Sequence, residues 1–309
     1  MGKENSDKRI IYLTGATGRL GKEVLRRIPD ATPLVRKDSG LSGQIVTDFS
    51  ERELKGILND ADVIVHIAGS IDTLDKKKLQ EANVELTRKI VASAPKKSRI
   101  IFAGSVSVYG KKLAQVPADE RTPINPDSDY AGSKYDAEKL ISAHPDHVIL
   151  RIGTIYGPGF GDYYKVLSYI ERGKMKIIGD GSNRVPFVHV EDVADAIASA
   201  VSKGKGVYVI AGDPLTQKEI YSVAARALDV KEPGSTVSKS AAGLLASFQE
   251  FTYHLGGKKP LLTKEHISVL ANDRVFDCSK AKKDLGFSPR PLDHGIREMV
   301  LSYKKRPSA

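Results

Sequence analysis

Three glycines between a short apolar run and a helical one constrain this chain more than any other feature. The segment Thr14-Gly15-Ala16-Thr17-Gly18-Arg19-Leu20-Gly21 follows a β-branched run at 10–14 and opens a helical pattern at 19–28. Glycines there let the backbone turn tightly, and the free amides and dipole of a helix N-terminus favour a negative group. That is how a strand–turn–helix unit holds a dinucleotide's pyrophosphate, here with Gly15, Thr17, Gly18, Arg19, Leu20 and Gly21. The spacing is GxxGxxG rather than GxGxxG, so the turn gains its meaning from its place at the first strand. Its alternative reading is a glycine turn used only for packing.

The rest of the chain supports the first reading. Apolar runs at 33–36, 44–49, 62–67, 99–104, 147–152 and 207–210 alternate with helical patterns at 51–58, 76–94 and 130–143. Such alternation predicts an α/β fold, a Rossmann-like doubly wound parallel sheet. From Gln217 onward the pattern is mostly helical, which predicts a smaller C-terminal substrate lobe. The expected division is a dinucleotide-binding domain over 1–152, with 185–212 returning to it, and a substrate lobe formed by 153–184 and 213–309.

Cofactor choice turns on the end of the second strand. An acid that binds the adenosine ribose is expected about 20 residues after the first glycine. Here that place holds Arg36, followed by Lys37, which suits a 2′-phosphate and favours NADP. Arg19 offers a second cation. Asp38, two residues on, keeps NAD as the alternative.

Tyr130 and Lys134 stand at i and i+4, on one face of a helix. A free phenol titrates near ~10, and a neighbouring cation lowers that value toward the range of a working acid or base. The pair alone is common on helix surfaces; its position in a βαβ chain gives it weight.

These motifs, with several more, resemble the extended short-chain dehydrogenase/reductases, the family of nucleotide-sugar epimerases, dihydroflavonol reductases and 3β-hydroxysteroid dehydrogenases. The matching pieces are TGATGRLG at 14–21, DVIVHIAG at 62–69, IIFAGSVSVYG at 100–110 and DERTPINPDSDYAGSKYDAEKL at 119–140. LRIGTIYGPG at 150–159, VPFVHVEDVADA at 185–196 and FDCSKAKKDLGFSP at 276–289 follow in the same order. The resemblance implies that Ser105 hydrogen-bonds the reacting oxygen, Tyr130 exchanges its proton, and Lys134 binds the nicotinamide ribose and tunes the tyrosine. It places Asp48 and Phe49 at the adenine, Ala68 and Gly69 along the cofactor, and Gly153 and Thr154 near the carboxamide. Ser107 and Arg184 join Ser105 and Tyr130 as substrate contacts. A homodimer is common in the family.

Departures from the family narrow the reaction. Dehydratases carry an Asp-Glu pair after the active-site hydroxyl, where this chain has Val106 and Ser107. Epimerases often carry an asparagine where this chain has Gly153-Thr154, and an Arg-Asp-Phe where it has Val185-Pro186-Phe187. The segment 179–196 and the stretch Lys259-Pro260-Leu261-Leu262-Thr263 are closer to the dihydroflavonol-reductase and 3β-hydroxysteroid-dehydrogenase branch. The expectation is an NAD(P)-dependent oxidoreductase acting on a hydroxyl or ketone, with an NAD-dependent epimerase as alternative. A non-catalytic NADP-sensing or RNA-binding member stands last. Leu244, Phe248, Phe251 and Leu255, widened by Leu245, form an apolar stripe that reads first as ordinary core and second as a cap over a bulky substrate.

Other functions find less support. A formal charge of +10 points toward anionic partners, yet it is scattered in groups of two or three, without the block expected of a nucleic-acid arm. The lone Cys278 excludes an internal disulfide framework and fits a reducing, cytoplasmic setting. The seven histidines show no metal-ligand spacing, so no metal is expected. No apolar run is long enough for a membrane span. Gly2 and Ser6 match a myristoylation pattern, which is short enough to arise by chance. The partner left is a small-molecule substrate.

Overall fold

The computed structural model describes residues 9–255, 263–270 and 272–306. Gly2, Ser6 and most of the Lys259–Thr263 stretch lie outside them. The first half runs β1 (Ile11–Thr14), α1 (Arg19–Arg27), β2 (Thr32–Val35), β3 (Ile45–Val46), α2 (Glu51–Ile57) and β4 (Val63–His66). Next come α3 (Lys76–Leu79), a π-helical turn (Gln80–Glu85), α4 (Leu86–Ser93), β5 (Arg99–Ser105), α5 (Asp129–Ser142) and β6 (Asp146–Ile152). Then follow β7 (Thr154–Tyr156), α6 (Gly161–Glu171), β8 (Ile177–Ile178), β9 (Arg184–Val185), β10 (Phe187–His189), α7 (Val190–Ala200) and β11 (Gly206–Ile210). The chain closes with β12 (Leu215–Thr216), α8 (Gln217–Leu228), β13 (Thr236–Val237), α9 (Lys239–His254), α10 (Lys264–Leu270), α11 (Ser279–Leu285) and α12 (Leu292–Lys304).

Seven strands form one parallel sheet in the order β3-β2-β1-β4-β5-β6-β11. The order reverses between β1 and β4, which opens a crevice at their carboxyl ends, where open α/β sheets bind ligands. Alternate side chains feed two cores. Leu13, Val65, Ile101 and Leu150 pack with Val24 of α1, Val193 and Ile197 of α7 and Leu285 of α11. Tyr12, Ile64, Ile100 and Ile149 pack with Leu54 of α2, Ile90 of α4 and Ile141 of α5. Burial on both faces explains why these strands read as unbroken apolar runs. A third core joins α6, α8 and α12 through Leu167, Ala225 and Ile296, giving the helical C-terminal lobe.

Three sequence expectations change. The run at 44–49 keeps only Ile45–Val46 as strand, because Thr47 accepts from the Phe49 amide and Phe49 turns to a φ of 59°. The predicted helix at 76–94 is one helical stretch whose middle turn is π, with Asn83 at its centre. Most telling, the stripe on α9 is not core. Leu244, Phe248, Phe251 and Leu255 are 61–73% exposed, and the helix instead packs inward through small Ala242 and Ala246 against Ile178 and Ile267. Among the described residues no helix is long and apolar enough to cross a membrane.

Candidate active site

The glycine turn is shaped by what passes close to it. A Cβ on Gly15 would meet the Ala68 amide at 2.7 Å, and one on Gly21 would meet the Gly15 carbonyl at 2.2 Å. The turn and the exit of β4 therefore touch backbone to backbone. Gly18 donates to the Gly15 carbonyl at 3.0 Å and caps α1 without any side-chain bond, leaving the first amides of that helix to a ligand. Thr17 and Gly18 are exposed and Leu20 half-buried. The cradle fits a pyrophosphate.

Arg19 takes a different direction from the one expected. Its Nε donates to the Gly159 carbonyl at 2.8 Å and its guanidinium stacks on Phe160 at 4.7 Å, so it ties the turn to the loop after β7. Arg36 and Lys37 are exposed at the end of β2. Arg36, Asp48, Phe49 and Lys89 line a hollow of about 460 Å³ with Glu81, Glu85 and Leu86. Asp38 is committed elsewhere: it accepts from Gly40 at 2.9 Å and from the Gln44 amide, which holds its carboxyl below the ordinary range. Asp48 is held down in the same way by the Ser50 amide at 2.6 Å.

Behind the turn lies a buried polar chain that the sequence reading missed. Thr14 Oγ1 accepts from the Ala68 amide at 3.3 Å and shares a hydrogen bond with His66 Nδ1 at 2.7 Å. Thr87 Oγ1 donates to the Asn83 carbonyl at 2.6 Å, so it accepts from His66 Nε2 at 2.9 Å. This bonding assigns His66 as the neutral Nε2–H tautomer, and burial pushes its pKa down to about 3. Asn83 Oδ1 accepts from Ser70, while Nδ2 donates to the Ser70 carbonyl and to Ser133 Oγ at 2.9 Å. Ser133 in turn donates to the Tyr130 carbonyl at 2.8 Å. A Cβ on Gly69 would strike Asn83 Oδ1 at 2.7 Å, so this glycine is bare because of its own neighbour. No local pattern singles out Asn83; only the fold brings it to Ser133.

Helix α5 carries Tyr130 and Lys134, the expected acid/base pair. Ser128 caps it by accepting from Ala131 at 3.2 Å, and also donates to Glu265 of α10 at 2.8 Å. Tyr130, in its first turn, hydrogen-bonds Ser105 at the end of β5. The Ser107 amide and hydroxyl both donate to Ser105 Oγ, at 3.2 and 2.9 Å, which leaves the Ser105 proton to donate to Tyr130. Lys134 is buried; its Nζ donates to the Ala103 carbonyl at 2.6 Å and lies 4.4 Å from the Phe102 ring centre. Burial lowers its pKa to about 8. The Tyr130 phenol is raised, contrary to the expected lowering, because burial outweighs the Ser105 bond and Glu265 adds to the rise.

The remaining predicted contacts divide. Thr154 donates its amide to the Pro186 carbonyl at 2.8 Å and pairs in register with Phe187. Arg184 does not stand free for a diphosphate: it holds Asp273 through two Nε contacts at 3.0 and 3.2 Å and a third from Nη2. Beyond Phe187 opens a cavity of about 390 Å³ with walls from α6, α8, α9, α10 and α12, among them Tyr163, Leu167, Tyr221, Leu245, Ile267 and Met299. Burial raises the phenol of Tyr221 and pushes the Cys278 thiol up to about 12, so neither is poised to ionise.

Comparison with known proteins places the chain in a family. Residues 11–211 match the family model of the NAD dependent epimerase/dehydratase family. The chain is 28% identical to 3beta-hydroxysteroid-dehydrogenase/decarboxylase isoform 1 of Arabidopsis thaliana, over 90% of this chain and 73% of that one. It is 25% identical to N-acetyl-alpha-D-glucosaminyl-diphospho-ditrans,octacis-undecaprenol 4-epimerase of Escherichia coli O157:H7, over 95% of each. The crystal structure of gox2253 superposes with a TM-score of 0.77 at 26% identity, covering 96% of this chain and 98% of that one. The chain belongs to the NAD dependent epimerase/dehydratase family and is an NAD-dependent enzyme of the extended short-chain dehydrogenase/reductase type.

Proposed function

We propose that this enzyme is an NADP-dependent reductase that interconverts a ketone and an alcohol on a bulky, apolar small molecule. The observation that carries this reading is Tyr130: a phenol raised by burial, hydrogen-bonded to Ser105, one turn from buried Lys134. A raised phenol keeps its proton at neutral pH, which suits an acid that protonates a carbonyl oxygen. When bound, the nicotinamide supplies the hydride. Tyr130 gives its proton to the substrate oxygen as the C=O bond becomes C–OH, and Ser105 turns its proton from Tyr130 to the same oxygen. Lys134, with ammonium donors beyond the one used by Ala103, is positioned for ribose hydroxyls.

Cofactor and substrate class follow from the end of β2 and from the apolar cavity beyond Phe187, whose walls include none of Ser105, Tyr130 and Lys134. Arg36 stands where the ribose acid is expected, and Asp38 is engaged in its own turn. Both favour a 2′-phosphate. The apolar walls beyond Phe187 favour an apolar substrate, while Arg184, already paired with Asp273, weakens the case for a nucleotide sugar. Residues 1–152 with 185–212 are assigned to the cofactor, and 153–184 with 213–309 to the substrate. The test is fluorescence titration with NADPH and NADH, followed by assays of NADPH consumption with hydrophobic ketones. NADPH is expected to bind tighter and to be consumed. Tyr130→Phe is expected to lower turnover about 10²–10⁴-fold with cofactor affinity kept. Tightly held NAD with no net consumption would favour a redox-neutral epimerase instead.

A further inference from the structure

Helix α8 brings two unpartnered polar groups to the wall of an apolar cavity. Gln217, Tyr221 and Ala224 stand at i, i+4 and i+7, on one stripe of that helix, and all three line the cavity beyond Phe187. All three are buried. Gln217 Oε1 accepts from the Ile178 amide at 2.8 Å, and its Nε2 has no partner among the described residues. The Tyr221 hydroxyl has none among them either, and burial alone raises its phenol. Tyr156, in the same wall, does find an acceptor, the Leu292 carbonyl at 3.5 Å. A buried donor with no acceptor is costly, and phenylalanine at 221 would pack the same ring without the hydroxyl.

Charge and shape narrow what supplies the missing acceptor. Val166, Leu167, Ile170, Ile220, Ile296 and Met299 make the wall apolar, and about 390 Å³ is room for a small molecule. Among the described residues the charges in the wall are Lys174 and Lys176, both exposed, and no carboxylate lines it. An ion drawn past them into the interior would lose its water and find no buried counter-charge. The acceptor that suits the interior is therefore an uncharged oxygen.

We infer that this cavity binds an apolar, uncharged small molecule through a carbonyl or hydroxyl oxygen that accepts hydrogen bonds from Tyr221 and Gln217. None of Ser105, Tyr130 and Lys134 lines the cavity, so this oxygen is not the one that is reduced. If the ligand is the substrate of the proposed reductase, that substrate carries a second oxygen away from its reacting carbon. Only this last step rests on the reductase reading; binding in the cavity stands without it.

The experiment is displacement of the neutral dye Nile red from the purified, cofactor-free enzyme by two competitors. Cyclohexyl phenyl ketone and benzylcyclohexane differ only in a carbonyl against a methylene. The ketone is expected to bind at least about fivefold tighter, the scale of one net hydrogen bond. Tyr221→Phe removes the hydroxyl and keeps the ring. It is expected to reduce that preference severalfold, leave benzylcyclohexane binding unchanged, and melt no lower than the wild type without ligand. Tyr130→Phe is expected to keep the preference. Equal binding of the two competitors overturns the inference, as does a preference that survives undiminished in Tyr221→Phe. Loss of the preference in Tyr130→Phe overturns it too, since the carbonyl would then sit at the acid/base pair. Binding is read without cofactor, so a failure to consume NADPH would count against the reductase reading alone.

Discussion

Helix α5 buries two charges a single turn apart, and they are treated in opposite ways. Glu138 meets Arg151 of β6 through two Nε contacts at 3.2 Å and a further one from Nη2, and Arg151 also donates to Tyr109 at 2.7 Å and to the Glu120 carbonyl. Lys134 has a carbonyl and an aromatic ring, with no carboxylate in hydrogen-bond contact. Both residues are less than 8% exposed. The paired charge welds α5 to the sheet. The under-compensated one keeps donors in reserve and titrates near neutrality, which is what a ligand-binding cation needs.

The strongest way to break this contrast is Lys134→Met. Turnover is expected to fall about 10²–10³-fold, since the cation beside the acid/base is gone. Stability should move the other way. The folded pKa of about 8 lies below the ordinary 10.5, so the buried ammonium is penalised in the folded state. Between those values the unfolded chain binds more protons, and stability rises with pH through that window. The full penalty, on the order of 3 kcal/mol, is present below pH 8 and absent in the methionine variant. Urea denaturation from pH 7 to 10.5 measures it. A wild-type stability that stays flat across that range would show that Lys134 is compensated after all.

Breaking the paired charge should do the reverse. Glu138→Leu or Arg151→Met alone leaves a buried charge without its partner and is expected to cost about 3–5 kcal/mol. The double substitution is expected to cost less than either single one, because no lone charge remains. Surviving protein should still bind cofactor. If the singles cost under about 1 kcal/mol, the pair is not the weld described here.

The difference between these neighbours also marks what the sequence could reveal. The glycine turn and the alternation of strands and helices were legible, and Tyr130 and Lys134 were singled out, because local spacing and apolar runs mark them. The partners were not. Glu138 and Arg151 are 13 residues apart and meet only because β6 runs beside β5 under α5. Asn83 sits in a predicted helix with no mark of function, and its reach to Ser133 depends on a π turn. The stripe on α9 shows the converse limit: periodicity locates an apolar face but does not say whether protein covers it. Arg19 and Arg184 were read as anion contacts from their positions. Each found a protein acceptor instead, the Gly159 carbonyl and Asp273.

Arg36 extends the contrast to the surface and gives the smallest effect. Like Lys134 it is a cation without a carboxylate in hydrogen-bond contact, with only the Phe49 ring 6.0 Å away. Unlike Lys134 it is exposed, so water already solvates it and burial leaves no penalty to relieve. If cations without such a partner near the crevice are reserved for ligand charge, Arg36→Ser should act on one cofactor alone. NADPH binding is expected to weaken about tenfold, the scale of one charge-assisted contact with a phosphate, while NADH binding stays unchanged. Titrating both cofactors against both proteins separates the outcomes. Equal weakening would place Arg36 on the adenine that both cofactors share, stacked against Phe49. No change in either would return it to the solvent-facing charge of the surface, and leave the selection of the 2′-phosphate to Lys37 or Lys89.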